Sequence, residues 1–250
     1  MRLFYDLLFL ILMRVSVSMP PVKQNDNLDF SSVLAASVHD MKNSLFLLLQ
    51  AIESVAEEVE KPQPRRQLAD IHYETQRLNT GLMQLLSLFR QQKDELPINK
   101  EEHFLDELAE ELEASNQFYA AHHGIELTTS VKHDGSWFFD QNLILILVND
   151  VIINALRYAK SKVAVEIGVD TINNELVIEI GDDGSGYPLS MLDASRTSPQ
   201  AMELDSGRTG LGLYFAKLIA QAHQVEDRNG SIFLSNDSAL GGSLFTLRLP

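Results

Sequence analysis

Apolar positions along the chain follow two successive patterns. In the first, Leu34, Val38, Met41, Leu45, Leu48, Ile52 and Val55 recur at steps of four and three. That is the heptad spacing of a helix packed along its length against partner helices. It predicts a helix over residues 31–60, with Asp29 or Ser31 as its cap, ended by Lys61-Pro62-Gln63-Pro64. A second seam follows at Leu68, Ile71, Thr75, Leu78, Leu82, Leu85 and Phe89, with Gly81 its weak position. Two such helices form an antiparallel hairpin. One hairpin cannot bury both stripes, so pairing with a second copy into a dimeric four-helix bundle is expected.

Residues 91–99 break this pattern and read as a hinge. Beyond them strands and helices mix. Helices are expected over 101–114, 142–158 and 212–224, and strands over 124–131, 136–139, 162–169, 175–180, 231–234 and 243–249. Asn173-Asn174 marks a hairpin turn between two of these strands. This order implies an α+β sandwich with helices on one face of a sheet. The expected organisation is a leader and linker over 1–29, a helical hairpin over 30–96, and a sandwich domain over 97–250.

Composition narrows the partners. A length of 250 residues and an apolar content of 45% suit a globular chain of one large or two modest domains. The formal charge of -15 argues against nucleic acid or an anionic membrane surface as the main partner. With no cysteine there is no disulfide framework, thiol nucleophile or cysteine-based zinc site, which is compatible with the cytoplasm. The apolar run at 3–13 is too short to span a bilayer, carries Asp6 and stops at Arg14. A loosely attached leader is therefore expected rather than a membrane anchor.

The first chemically suggestive stretch lies on the first seam: His39-Asp40-Met41-Lys42-Asn43-Ser44-Leu45. His39 sits just beside the apolar stripe. An acceptor on one imidazole nitrogen fixes the tautomer and leaves the other lone pair free to attack an electrophile. Asp40 is the evident acceptor, although adjacent helical residues do not face each other; Asn43 lies one turn on and shares the face of His39.

Three further blocks fall in the second region. Asn149-Asp150-Val151-Ile152-Ile153-Asn154-Ala155-Leu156-Arg157-Tyr158 puts Asp150, Asn154 and Arg157 on one helical face. Oxygen ligands with a cation suit a Mg²⁺-bound triphosphate, because Mg²⁺ takes a few protein oxygens and completes its octahedron with phosphate and water. Asp182-Asp183-Gly184-Ser185-Gly186-Tyr187-Pro188 follows a strand; a carboxylate there can accept from an adenine amino group while glycines let the backbone approach the base. Gly207-Arg208-Thr209-Gly210-Leu211-Gly212-Leu213 opens a helix whose N-terminal amides favour phosphate. The histidines at 72, 103, 122, 123, 133 and 223 lack metal-ligand spacing and read as surface or structural residues.

The His39 to Leu45 block resembles the H box of two-component sensor histidine kinases, with Ser44 at the usual proline. The three later blocks resemble the N box and glycine boxes of the GHKL, or Bergerat-fold, ATP-binding domain, and Gly241-Gly242-Ser243-Leu244-Phe245-Thr246 is similar to the last glycine motif of the kinases. The resemblance spans about residues 31–250. It implies an ATP-dependent protein-histidine kinase in which His39 takes the phosphoryl group, Asp40 serves as base and Asn43 supports phosphatase activity toward the partner. It further implies that Asn154 holds Mg²⁺, Arg157 reaches the phosphates and Tyr158 lies near the nucleotide. Asp182 would read adenine beside Gly184 and Gly186, and Gly210, Leu211 and Gly212 would form the phosphate end of the lid. The implied partners are a separate response-regulator receiver and a second copy of the chain. Three departures stand out: Arg208 replaces the first glycine of the lid motif, no phenylalanine-bearing box is visible between Leu189 and Ser206, and Asp150 stands where kinases commonly have asparagine. Asp150 is similar in place to the water-activating glutamate of gyrase-type ATPases. A phosphotransfer adaptor with a vestigial ATP domain, and a GHKL ATPase or kinase inhibitor, are therefore the alternatives.

Overall fold

The structure, a computed structural model, describes residues 30–59, 62–91, 98–132, 135–196 and 210–250, with the side chains of 30–39, 57, 62, 83–91, 194, 210 and 211 not among them. The expected leader at 1–29, the hinge segment 92–97 and the Gly207-Arg208 pair lie outside the described residues.

Helix α1 spans Phe30–Glu58 and α2 spans Pro62–Gln91. The proline pair expected only to end the first helix also opens the second. Pro62 and Pro64 fall in the first turn of α2, where a missing N–H leaves no intrahelical bond unmade. The helices are tied side by side: Arg65 Nε donates to the Ala56 carbonyl at 2.9 Å, and His72 Nε2 lies 2.9 Å from Glu53 Oε1. Much of the heptad stripe stays on the surface, with Met41, Leu48, Val55, Ile71 and Leu78 exposed and Ile52 buried.

After the hairpin come β1 (Glu101–Phe104), α3 (Leu105–His123), β2 (Glu126–Val131), β3 (Ser136–Phe139) and α4 (Gln141–Tyr158). The chain continues through β4 (Lys162–Asp170), β5 (Glu175–Asp182), α5 (Leu189–Arg196) and α6 (Gly210–Ala222), then β6 (Gln224–Val225), β7 (Arg228–Asn229), β8 (Ser231–Ser235) and β9 (Leu244–Leu249). Residues 101–104 correct one expectation. Instead of starting a helix, they pair antiparallel with β3, Glu101 opposite Phe139 and Phe104 opposite Ser136. Helix α5 has no counterpart among the expected elements.

The main sheet has the order β2-β4-β5-β9-β8; β2 and β4 run parallel and the other neighbours antiparallel. Every second residue along most of each central strand is a buried apolar side chain. Val163, Val165 and Ile167 of β4, Leu176, Ile178 and Ile180 of β5, and Phe245, Leu247 and Leu249 of β9 are buried in one core with Leu108, Leu112, Ile144, Leu147, Ile152, Phe215 and Ile219 of α3, α4 and α6. The opposite face carries the intervening polar residues, including a Lys132–Glu166 pair and Arg248 between Asp170 and Glu175 at 3.2 and 3.3 Å. One helix-covered face and one polar face is how an antiparallel-rich sheet packs once, and it makes this an α+β sandwich.

Two buried polar devices fix the start of α4. Asp140 caps it, accepting from Leu143 N at 3.1 Å and from Asn99 N at 3.0 Å. The Asp140 amide donates to His223 Nε2 at 3.0 Å, while His223 Nδ1 donates to the Ile219 carbonyl at 2.7 Å. That arrangement needs a neutral ring, and burial lowers the His223 pKa accordingly.

The hairpin meets the sandwich through α2. Ala69, His72, Tyr73 and Thr80 are buried, as is Thr75 of the heptad stripe, while Ile71 and Leu78 of that stripe are exposed. Gln76 Nε2 donates to the Ser115 carbonyl at 2.8 Å, Tyr73 packs on Tyr119 with ring centroids 4.8 Å apart, and His72 meets the edge of Phe118 at 5.2 Å. Among the described residues no helix is long and apolar enough to cross a membrane.

Candidate functional site

Helix α4 buries Leu143, Ile144, Leu147, Val148, Ile152, Ile153, Ala155 and Leu156, so one face is committed to the core. The opposite side presents Asn154, Arg157 and Tyr158 to solvent, with Asp150 half-buried. Asn154 Nδ2 donates to the Asp150 carbonyl at 2.8 Å, a bond that does not use the amide oxygen. The Arg157 guanidinium carbon stands 5.7 Å from the centroid of the Tyr158 ring. From the hairpin, Tyr73 and Glu74 are also electrostatic neighbours of Arg157.

Strand β5 delivers Asp182 to the end of the sheet. Its register with β9 sets Gly181 opposite Leu244, so Asp182 faces Ser243. The carboxylate is 2% exposed and thoroughly held. Oδ1 accepts from Gly184 N at 2.7 Å and Ser243 N at 3.2 Å, and Oδ2 accepts from the Ser243 hydroxyl. Glycine is required around it. A Cβ on Gly184 would lie 2.5 Å from the Tyr158 carbonyl oxygen, and one on Gly242 would lie 2.5 Å from Gly184 N and 2.6 Å from Asp182 O. These approaches bring the end of α4, the β5 loop and the glycine pair before β9 into one cradle.

The neighbouring aspartate has a different task. Asp183 accepts from Lys160 N at 2.8 Å, from Ser161 N at 3.0 Å and from Ser161 Oγ at 2.6 Å, closing the α4–β4 connection. Burial would raise its pKa, but the Ser161, Lys162 and Lys160 hydrogen bonds outweigh it and hold the carboxyl well below the usual range. Of the two acidic residues, Asp182 is the one inside the cradle.

Helix α6 begins at Gly210, and its buried Leu213, Phe215, Ala216 and Ile219 fix where its first turn, with Leu211 and Gly212, stands against the sheet. The amides of that turn are the local anion-attracting element. Asp150, Asn154, Arg157, Tyr158, Asp182, Gly184 and Gly186 thus come from the two elements joined by the cradle. Gly210, Leu211 and Gly212 open a third.

His39, Asp40 and Asn43 lie elsewhere, in the first half of α1, with Asp40 and Asn43 exposed. They precede Glu53, where α1 meets α2 and borders α3, by about 20 Å of helix. Ser44, at the proline of the resembled motif, keeps its backbone N–H and donates its hydroxyl to the Asp40 carbonyl at 3.0 Å, one turn back. Sequence reasoning missed Asn236 and the role of Ser243. The hydroxyl after the glycine pair was a visible signal for Ser243; Asn236, on a connection, gave none.

A carboxylate in a glycine cradle, an amide oxygen on the adjoining helix and a glycine-opened helix N-terminus on an α+β sandwich are groups suited to a nucleotide. The few oxygens available fit a phosphate-borne Mg²⁺ better than an all-protein cage. The family model for histidine kinase-, DNA gyrase B- and HSP90-like ATPases matches residues 139–250. Sensor protein SrrB of Staphylococcus aureus is 26% identical over 247 residues, which cover 94% of this chain and 41% of the relative. Among solved structures, the histidine kinase AdeS of Acinetobacter baumannii matches with a TM-score of 0.54 and 19% identity, over 83% of this chain and 95% of that one, a likeness of fold. Residues 139–250 are thus similar to that ATPase family, and nearly the whole chain is similar to a sensor protein. It spans about two-fifths of the length of the curated relatives it matches.

Proposed function

We propose that the chain is an ATP-dependent protein-histidine kinase that phosphorylates His39 and passes the phosphoryl group to an aspartate of a separate response-regulator receiver. One observation carries the ATP half of this: Asp182 is buried in a glycine cradle that also reaches the end of the helix bearing Asn154. Asp182 would accept from the adenine amino group, Asn154 would hold Mg²⁺, and Arg157 with the amides at Gly210–Gly212 would hold phosphate. Mg²⁺, when bound, neutralises charge on the phosphates.

The histidine half rests on α1. His39 shares its helix with Asp40 and Asn43, and the exposed Met41, Leu48, Val55, Ile71 and Leu78 are the stripe that a second copy would cover in a four-helix bundle. In the transfer, one imidazole nitrogen forms the P–N bond as the bond from phosphorus to the ADP oxygen breaks. The proton on the other ring nitrogen passes to Asp40. Catalysis comes mainly from positioning and electrostatics, so the sandwich must move along the hairpin to reach His39. That motion fits a division into a hairpin over 30–96, a sandwich over 97–250 and a leader over 1–29. Asn43 would support removal of phosphate from the receiver, and a cytoplasmic location would supply both ATP and receiver.

Calorimetric titration with Mg-ATP tests the nucleotide site. Binding by the full chain, lost in Asp182→Asn and weakened in Asn154→Ala, is the expected result. No binding at millimolar nucleotide would overturn the proposal, and binding without any protein phosphorylation would favour the adaptor or ATPase alternatives.

A further inference from the structure

Asn236 grips the glycine loop at a single peptide unit on each side of Tyr187. The Tyr187 amide donates to Asn236 Oδ1 at 2.7 Å, and Asn236 Nδ2 donates to the Tyr187 carbonyl at 3.1 Å. Gly186, at φ 80°, permits this approach, since a Cβ there would stand 2.7 Å from the Asn236 carboxamide carbon. With its backbone fixed, Tyr187 turns its phenol inward, where it hydrogen-bonds with Ser243. Ser243 in turn gives both its hydroxyl and its amide to Asp182. Tyr187, Ser243 and Asp182 are therefore one connected polar group at the base end of the cradle. Burial, with the Asp182 charge adding to it, pushes the Tyr187 phenol up to about 12, so it keeps its proton at any physiological pH.

Adenine presents two complementary atoms side by side on one edge, an amino donor and the ring acceptor N1. A carboxylate satisfies only the first. Because the Ser243 hydroxyl is already donated to Asp182, the phenol is the remaining hydroxyl in this group that can serve the second. We propose that Tyr187 is a base-specificity residue whose hydroxyl donates to adenine N1 while Asp182 accepts from the amino group, and that Asn236 is the positioning residue that aims it. On binding, the phenol exchanges its bond to Ser243 for one to N1. Guanine is refused twice, because its ring N–H meets the phenol donor and its carbonyl oxygen meets the carboxylate.

The assignment presupposes that the chain binds ATP. It is tested by calorimetry with ATP and with 1-deaza-ATP, in which a C–H replaces N1, on the full chain and on Tyr187→Phe. One neutral hydrogen bond corresponds to about a five- to tenfold preference for ATP. The wild type is expected to show that preference and Tyr187→Phe to lose it, with 1-deaza-ATP affinity little changed. An equal preference in both proteins overturns the role of Tyr187 while leaving ATP binding intact. If the wild type binds neither nucleotide, the ATP-binding proposal fails and this one with it. Hydrogen exchange at the Tyr187 amide, measured without nucleotide, tests Asn236 separately. Asn236→Ala should accelerate it while the β4 and β5 amides stay protected, and unchanged exchange overturns the positioning role.

Discussion

Replacing Gly242 by alanine should dismantle the base end of the cradle. The new Cβ would lie 2.5 Å from Gly184 N and 2.6 Å from Asp182 O, and closer still to Asp182 Oδ1. Two of these are backbone atoms, and the carboxylate oxygen is held by the Gly184 and Ser243 amides. The backbones are also tied together, since Gly242 N donates to Asp182 O at 3.0 Å. Overpacking of this kind costs about 1–3 kcal/mol. Pulling the loops apart also forfeits at least one hydrogen bond to the buried carboxylate, about 1.5–3 kcal/mol. The sum, about 2.5–6 kcal/mol, is a large share of the stability of an ordinary domain and corresponds to a fall in Tm on the order of 10 °C. Thermal unfolding of Gly242→Ala beside wild type, followed by ATP titration of the folded variant well below its Tm, measures both consequences. Gly241→Ala is the internal control: at φ 91° it strains the backbone but meets nothing within 4 Å, so a smaller loss of about 1–2 kcal/mol is expected. A Gly242→Ala protein with unchanged Tm and unchanged ATP affinity would refute the packing of Asp182 between these loops.

Other expectations follow from single positions. Gly81 lies inside α2 with nothing within 4 Å of where a Cβ would stand, so Gly81→Ala should stabilise by about 0.5–1 kcal/mol, read as a rise in Tm of a few degrees; a fall in Tm would contradict the helix there. Burial lowers the pKa of His72 against the opposing pull of Glu53, and burial likewise lowers that of His223. Both rings are thus favoured neutral in the fold: their contribution is whole above the ordinary histidine value of 6.5 and is lost as pH falls from there through the lowered folded values. Denaturant unfolding between pH 7.5 and 5 should show stability falling by up to about 1.4 kcal/mol per pH unit for each histidine, with a shallower slope in His72→Gln. An unchanged slope in that variant would show that His72 does not titrate in this way.

How much of this was legible in the sequence depends on the range of the interaction involved. The alternation of β4, β5 and β9 and the extent of α4 are local periodicities that burial imposes residue by residue, and the α1 and α2 seams are readable as heptad repeats although much of that stripe is exposed in the single chain. Residues Glu101–Phe104 escape such a reading because their partner strand, Ser136–Phe139, lies more than thirty residues away, and no local propensity announces that pairing. The buried positions of α2 were hidden for another reason. Ala69, His72 and Tyr73 form no apolar stripe, yet small and aromatic side chains suffice to seat the helix on Phe118 and Tyr119. At the site, Asp182, Asn154 and the glycines stand out by motif. Tyr187, Ser243 and Asn236 acquire their places only through contacts spanning forty-nine to sixty-one residues.

Incubation of the full chain with Mg²⁺ and γ-labelled ATP addresses the central proposal directly. An acid-labile, base-stable label on the protein, absent from His39→Gln and from Asp182→Asn, is the predicted result. Label that persists in His39→Gln, or release of free phosphate with no labelled protein, would contradict it.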